Sequence, residues 1–359
     1  MKKSICLLIL SVGFFVSCQK NNIEPSLTSE IEKLVNENIE SENLAGVTIG
    51  VYHNGKTNHY FFGTKDLSTG EKIDELTIFE IGSITKTFTA LLFANAVTQN
   101  QVSLNDTIDG FFPLNIQVPY KDGVHISFFN LLNHTSGLPS EPDNLPTEQP
   151  VANFDEAALA NYFNDLQLHN TPGTTYEYSN LGMGLVGYLI GRTTGTEYDD
   201  LLKENIFTPM GMQYTCCKAE DIPINNVAQG YYQMQRADFY QWSNIFEAAG
   251  TIKSNLHDMM IYLKENINRD SSSIKEALTL TQTRTFTVNE HFHMGLGWHI
   301  TIDGNNNEIY WHNGGTRGFS SFIAFNNTTK DGVVVLINSY SLNAQNIIGI
   351  ETINLLYKY

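Results

Sequence analysis

The chain has 359 residues, 42% of them hydrophobic, which is enough for a large core and about two domains or subdomains. Its formal net charge of -17, with no Lys/Arg-rich run, argues against nucleic acid or an anionic membrane surface as an electrostatic partner. The composition is that of an ordinary globular protein, neither disordered nor fibrous.

Met1-Lys2-Lys3 followed by an apolar run from Ile5 to Val16 reads as a cleavable export signal over residues 1–17. Phe15-Val16-Ser17-Cys18 resembles a bacterial lipobox, in which Cys18 becomes the lipidated first residue. Residues 18–28, mostly polar, then form a tether. The expectation is an exported lipoprotein, held to a membrane through Cys18 and facing the periplasm or cell surface. Of the remaining cysteines Cys6 lies in the signal. Cys216 and Cys217 are adjacent, a poor geometry for a disulfide, and read as packing residues.

Alternation of Val47, Ile49 and Val51 with Thr48, Gly50 and Tyr52, then His53-Asn54-Gly55-Lys56, predicts a β-hairpin over about Gly46–Thr64. From about Ile84 to Gln99 the period becomes helical, with Ile84, Phe88, Leu91 and Leu92 on one face. Helices follow near Phe128–Leu132, Asp155–Leu166, Asn180–Arg192, Tyr198–Ile206 and Asn255–Asn266. Strands return at Gly297–Ile302, Glu308–His312, Phe319–Phe325 and Val333–Asn338, with turns at Asp303-Gly304 and Asp331-Gly332. A last helix runs from Asn343 to Leu356. The expected class is α+β: one antiparallel β-sheet flanked by helices and built from both chain ends (29–78 and 246–359), with a mainly helical domain inserted (79–245). A cleft between the two is the natural place for a site.

Ser83-Ile84-Thr85-Lys86 fits S-x-x-K, in which a lysine one helical turn on reaches the serine hydroxyl and takes its proton. The pattern also occurs at Ser17–Lys20 and Ser272–Lys275, but only the Ser83 copy opens an apolar helix after a strand-like region. Its backbone N–H at a helix start is free to help hold an oxyanion. Tyr178-Ser179-Asn180 supplies a tyrosine whose ionised form a nearby lysine favours, and an asparagine able to hydrogen-bond Lys86 and a substrate amide. His312-Asn313-Gly314-Gly315 ends a strand with glycines that admit close backbone approach.

The order S-x-x-K, Y-x-N, H-x-G resembles the class C β-lactamases and their penicillin-recognising relatives, which include DD-peptidases, D-amino-acid-specific peptidases and serine esterases. Phe79–Ala90, Leu131-Leu132-Asn133-His134-Thr135-Ser136-Gly137-Leu138, Pro172-Gly173 and Pro209-Met210-Gly211-Met212 carry the likeness further, over roughly Ile31 to the C-terminus. The resemblance implies a β-lactamase/transpeptidase-like fold and an acyl-enzyme mechanism. In it Ser83 is the nucleophile and Lys86 and Tyr178 move the proton. The N–H groups of Ser83 and Gly315 hold the oxyanion, and Asn180 orients the substrate. His312 and Gly314 line the substrate site, and neither metal nor other cofactor is required.

One departure bears on substrate. His312 stands where class C β-lactamases typically carry lysine, and histidine is mostly neutral near neutrality. This favours a peptidase or esterase relative unless Arg317, five residues on, supplies the positive charge. Glu247 is a further candidate for contact with substrate. His134 reads as a structural hydrogen-bonding residue, and His291 with His293 lacks a third metal ligand. The expected substrate is a β-lactam or a related amide such as a peptidoglycan peptide. The alternatives are a DD-carboxypeptidase, D-aminopeptidase or esterase of the same fold, or a non-catalytic penicillin-recognising binding protein.

Overall fold

The computed structural model describes residues 26–113, 116–146, 151–222 and 225–359. The export signal and the Cys18 anchor site fall outside the described residues. Within them, no helix is long and apolar enough to cross a membrane.

An eight-stranded antiparallel sheet forms the frame. Its strands are β1 (Gly46–His53), β2 (Lys56–Gly63), β3 (Phe286–Asn289), β4 (Phe292–Met294), β5 (His299–Ile302), β6 (Glu308–Gly315), β7 (Ser320–Asn326) and β8 (Asp331–Ile337). Their spatial order is β2-β1-β8-β7-β6-β5-β4-β3, so the C-terminal meander closes on the N-terminal hairpin through β1 and β8. The hairpin turn places Asn54 at φ 50 and Gly55 at φ 74, the left-handed pair that matches the twist of a two-residue loop. Strands β3 and β4, which period-2 reasoning did not pick out, are short and partly exposed. Asp331-Gly332, expected as a turn, lies inside β8; the chain reverses just before it, where Lys330 takes φ 62.

Alternation along the strands feeds two cores. Val47, Ile49, Val51, Val333, Val335 and Ile337 face helices α1 (Leu27–Glu42) and α8 (Leu342–Leu356). Val334, Leu336, Ile323 and Phe325 face the opposite side, toward a larger cluster shared with the helical region. Burial of each such aliphatic side chain contributes roughly 1.5–3 kcal/mol. Gly50 turns toward this second layer, where a Cβ would come within 2.3 Å of Met260 Sδ on α7 (Leu256–Ile267). The close helix–sheet packing thus requires glycine.

The inserted region centres on α2 (Thr85–Thr98), with α3 (Phe128–Leu132), α4 (Glu156–Asp165), α5 (Asn180–Thr194) and the one-turn α6 (Glu247–Gly250) around it. Side chains of Asp155, Ser179, Asn255 and Ser341 cap α4, α5, α7 and α8, each accepting a backbone N–H of its first turn. Every residue of α2 from Thr85 to Ala96 is buried. The helix is therefore central to the molecule and has no exposed stripe opposite its apolar face. Its threonines are accommodated by bonding backbone carbonyls: Thr87 and Thr89 donate to Ile84 and Thr85. The fold is the α+β arrangement expected, with the apolar cluster running unbroken from α2 to the sheet.

Candidate active site

Ser83 sits in a 3-10 turn, Gly82–Ile84, immediately before α2, and not in the first turn of the α-helix itself. The turn follows a two-residue strand, Phe79–Glu80, paired with Lys253–Ser254. Gly82 takes φ 50, a left-handed conformation that β-carbons disfavour. A Cβ there would lie 2.7 Å from Gly315 N, and one on Gly314 would lie 2.1 Å from Ile81 O and 2.9 Å from Ser83 N. The two glycines let the end of β6 lie directly against the turn that carries Ser83. This brings the backbone N–H groups of Ser83 and Gly315 to one mouth. Ser321 on β7 fastens the turn, donating to Ile81 O at 2.7 Å.

Lys86 is fully buried, and its Nζ donates to Ser83 Oγ at 2.9 Å and to Ala249 O at 2.7 Å. Burial drives its pKa well below that of a free lysine, with a smaller opposing pull from the Glu141 carboxylate. The amine stands 5.0 Å from the centre of the Tyr178 ring. Tyr178 interacts with the Ser83 hydroxyl, which favours its ionised form, but desolvation outweighs this and raises its pKa above the usual phenol value. Burial thus favours the neutral phenol of Tyr178 and the neutral amine of Lys86 over their charged forms.

Behind this pair lies a cluster of buried imidazoles. His312 stacks on His299 with ring centres 4.8 Å apart, and Tyr178 lies 4.5 Å from His134 and 6.3 Å from His312. His312 Nδ1 is 2.6 Å from Asn313 O, which places its proton on Nδ1 and leaves Nε2 a bare acceptor. His134 Nδ1 accepts from Ser179 N–H at 3.2 Å, so its proton lies on Nε2. Burial, reinforced by His299 and Lys86, holds His312 well below the ordinary histidine value; His299 is pushed down to about 3. The histidine of the third motif is uncharged at neutral pH.

Asn180 caps the cleft wall at the start of α5. Its amide donates to Glu141 Oε1 at 3.3 Å, while the hydrogen bonds of Lys86 go to Ser83 and Ala249, so the anticipated Asn180–Lys86 bond is not formed. Ser83, Asn180, Glu141, Tyr240, Gly315 and Arg317 line an open cleft of about 1130 Å³. Arg317 is exposed there and lies 5.9 Å from the centre of the Tyr240 ring. Glu247 is not brought to the cleft. Its half-buried carboxyl is raised by desolvation and by Glu197 and Asp199, against the pull of Lys218. What its helix gives the site is backbone: Ala249 O accepts from Lys86 and Ala248 O from Thr89. A sequence has no mark for a carbonyl in this role.

Ser17–Lys20 falls outside the described residues; further copies of the short motifs within them, at Tyr162, His53 and Lys275, do not line the cleft. Tyr162 is buried in α4, His53-Asn54-Gly55 forms the hairpin turn, and Lys275 pairs with Asp270 at 3.2 Å. Cys216 and Cys217 are free and buried, with their thiols pushed up by desolvation.

A cleft between an antiparallel sheet and a helical region, with a buried amine against a serine at its mouth, defines the β-lactamase/transpeptidase-like class. A sequence model of the Beta-lactamase family matches residues 31–357, and the chain belongs to that family. Among its relatives, a beta-lactamase of Yersinia enterocolitica is 26% identical, covering 94% of this chain and 95% of its own. One from Pseudomonas fluorescens is 25% identical over 89% and 96%. One from Escherichia coli (strain K12) is 23% identical over 94% and 94%. The chain is a hydrolase of this family.

Proposed function

We propose that the chain is a serine hydrolase acting through an acyl-enzyme on Ser83, with β-lactams or related amides as substrates. The observation that carries this is the fully buried Lys86 Nζ, 2.9 Å from Ser83 Oγ, in surroundings that favour the neutral amine. A neutral amine accepts the hydroxyl proton as Oγ attacks the carbonyl carbon. The oxyanion that forms faces the N–H groups of Ser83 and Gly315. As the C–N bond breaks, the proton passes through the neutral Tyr178 phenol to the leaving nitrogen. Lys86 then takes a proton from water as the water oxygen attacks the ester carbon, and passes it to Ser83 Oγ as the ester C–O bond breaks, restoring the neutral amine and the free hydroxyl. Asn180 orients the amide of the bound substrate, and Arg317 pairs with its carboxylate.

The neutral, buried His312 supports a second reading within the same mechanism, a DD-carboxypeptidase, D-aminopeptidase or esterase, because the strand beside the cleft presents no fixed cation at that position. Turnover of nitrocefin, a p-nitrophenyl ester and a D-Ala-D-Ala peptide, measured side by side, tests the choice. Dominant nitrocefin hydrolysis supports the first reading, and dominant ester or peptide hydrolysis replaces it with the second. Labelling by fluorescent penicillin or fluorophosphonate that disappears in Ser83→Ala supports the hydrolase; no labelling of the native protein leaves a binding protein of the same fold.

The mature chain is further proposed to be exported and anchored by lipid on Cys18, facing the periplasm or cell surface. The lipobox-like Phe15-Val16-Ser17-Cys18 supports this. Incorporation of a palmitate analogue in cells, abolished by Cys18→Ser, is the expected result.

A further inference from the structure

The cleft lined by Ser83 also carries two opposite charges, those of Arg317 and Glu141. Arg317 follows β6 on the sheet side of the cleft. Glu141 lines the same cleft from the helical side, in the loop after α3. The pKa of Tyr240 is raised mainly by burial, and it feels both charges, Glu141 adding to the rise and Arg317 opposing it.

Although exposed, Glu141 is not on a loose loop. Ser179 Oγ donates to Pro139 O at 2.7 Å, and the N–H groups of Asn180 and Leu181 donate to Ser140 O at 3.0 and 3.1 Å. The two residues before Glu141 are therefore pinned to the start of α5. Its carboxylate meets the Asn180 amide, the group placed to orient substrate, at 3.3 Å. Among the described residues it forms no ion pair, and its field reaches Lys86.

We propose that Glu141 selects substrates whose acyl portion carries a protonated amine, so that the cleft prefers a zwitterion, ammonium toward Glu141 and carboxylate toward Arg317. This rests on the serine-hydrolase reading of the same cleft. An unpaired carboxylate beside the acyl-orienting amide attracts a cation and repels an anion there. It has a second consequence. Glu141 favours the protonated form of Lys86, which opposes the task of a base; an ammonium bound at Glu141 cancels that field. Amine-bearing substrates thus assist their own acylation, and their rate–pH profile rises at lower pH than that of neutral analogues.

Ampicillin and benzylpenicillin differ by one ammonium group on the acyl side chain and provide the test. Second-order rates of Ser83 acylation are measured for both on the full chain, from pH 5 to 9 and at low and high salt. The native protein is expected to prefer ampicillin about fivefold near neutral pH, as suits an exposed charge pair. Salt weakens the preference, and the ampicillin profile rises at lower pH. In Glu141→Gln the ratio falls toward one and the two profiles coincide; in Glu141→Lys the ratio inverts. A native ratio at or below one, or a ratio unchanged in both variants, overturns the proposal. Fluorophosphonate labelling separates the two levels: Ser83 labelled with equal penicillin rates sinks only the role of Glu141, whereas Ser83 unlabelled by any probe sinks the hydrolase reading and this inference with it.

Discussion

The hydroxyl of Thr316 donates a 2.7 Å hydrogen bond to the buried carboxylate of Glu80, three residues before Ser83. The same carboxylate accepts the backbone N–H of Tyr240 at 2.8 Å. One side chain therefore ties the segment that leads to Ser83 to both the residue after β6 and the cleft wall at Tyr240. Desolvation raises its pKa to about 7, despite the two hydrogen bonds and the field of Lys253.

The sign of the resulting pH dependence follows from proton binding. Glu80 titrates near 4.5 in the unfolded chain and near 7 in the fold, so the native state binds more protons between those values. Its contribution to stability is full below about pH 4.5 and is lost as pH rises to about 7, by roughly 3 kcal/mol in total. Thermal unfolding between pH 4.5 and 8 is expected to show a steeper decline for the native protein than for Glu80→Gln. Equal slopes would mean that Glu80 does not titrate in this range.

Lys86→Ala removes the only amine bonded to Ser83 among the described residues. Acylation by a penicillin or fluorophosphonate probe should fall about a hundredfold to ten-thousandfold, the range for loss of a general base. In the native protein the acylation rate should rise with pH through a value below the ordinary lysine range, because the neutral amine is the competent form. A pH-independent rate would count against Lys86 as the base.

Gly314→Ala places a methyl group 2.1 Å from Ile81 O and 2.9 Å from Ser83 N, both backbone atoms that have little room to yield. The strand must move away from the nucleophile turn, and acylation should fall about a hundredfold, as for loss of one oxyanion donor. The double variant with Ser83→Ala separates stability from catalysis: its melting temperature reports the steric cost alone. Native-like labelling by Gly314→Ala would show that the oxyanion site is built elsewhere.

Arg317→Ala is expected to raise KM for carboxylated substrates about fivefold while changing KM for a neutral p-nitrophenyl ester little, since an exposed charge pair is worth about 1 kcal/mol at most. Steady-state kinetics on both substrates decides the matter. An unchanged KM for the carboxylated member would remove Arg317 as the anion partner and leave the cleft with no replacement for a lysine at His312.

Much of the molecule was legible from local chemistry. Asn54-Gly55 specified its hairpin because left-handed residues fit the turn, and the helical period placed α4, α5 and α7, whose starts the structure shows capped by Asp155, Ser179 and Asn255. Ser83, Lys86, Tyr178, Asn180 and the His312–Gly315 strand end could be picked out by motif order, since each pattern alone recurs elsewhere in the chain. Strands β3 and β4 were not legible because short, partly exposed strands carry little period-2 signal.

Tertiary structure alone decided the electrostatics. Burial pushes the pKa of Lys86 down and that of Tyr178 up; neither shift follows from residue type, since burial depends on what packs around the group. Glu247 and Ala249 are two residues apart, yet the helix turns the carboxyl toward Lys218 and the carbonyl toward Lys86. Glu80 reaches Thr316 across 236 positions of sequence. Sequence determined which groups were present and their local geometry, because turns, caps and motif spacings depend on near neighbours. Which of those groups are charged, and which face the cleft, was settled only when distant segments closed around them and excluded water.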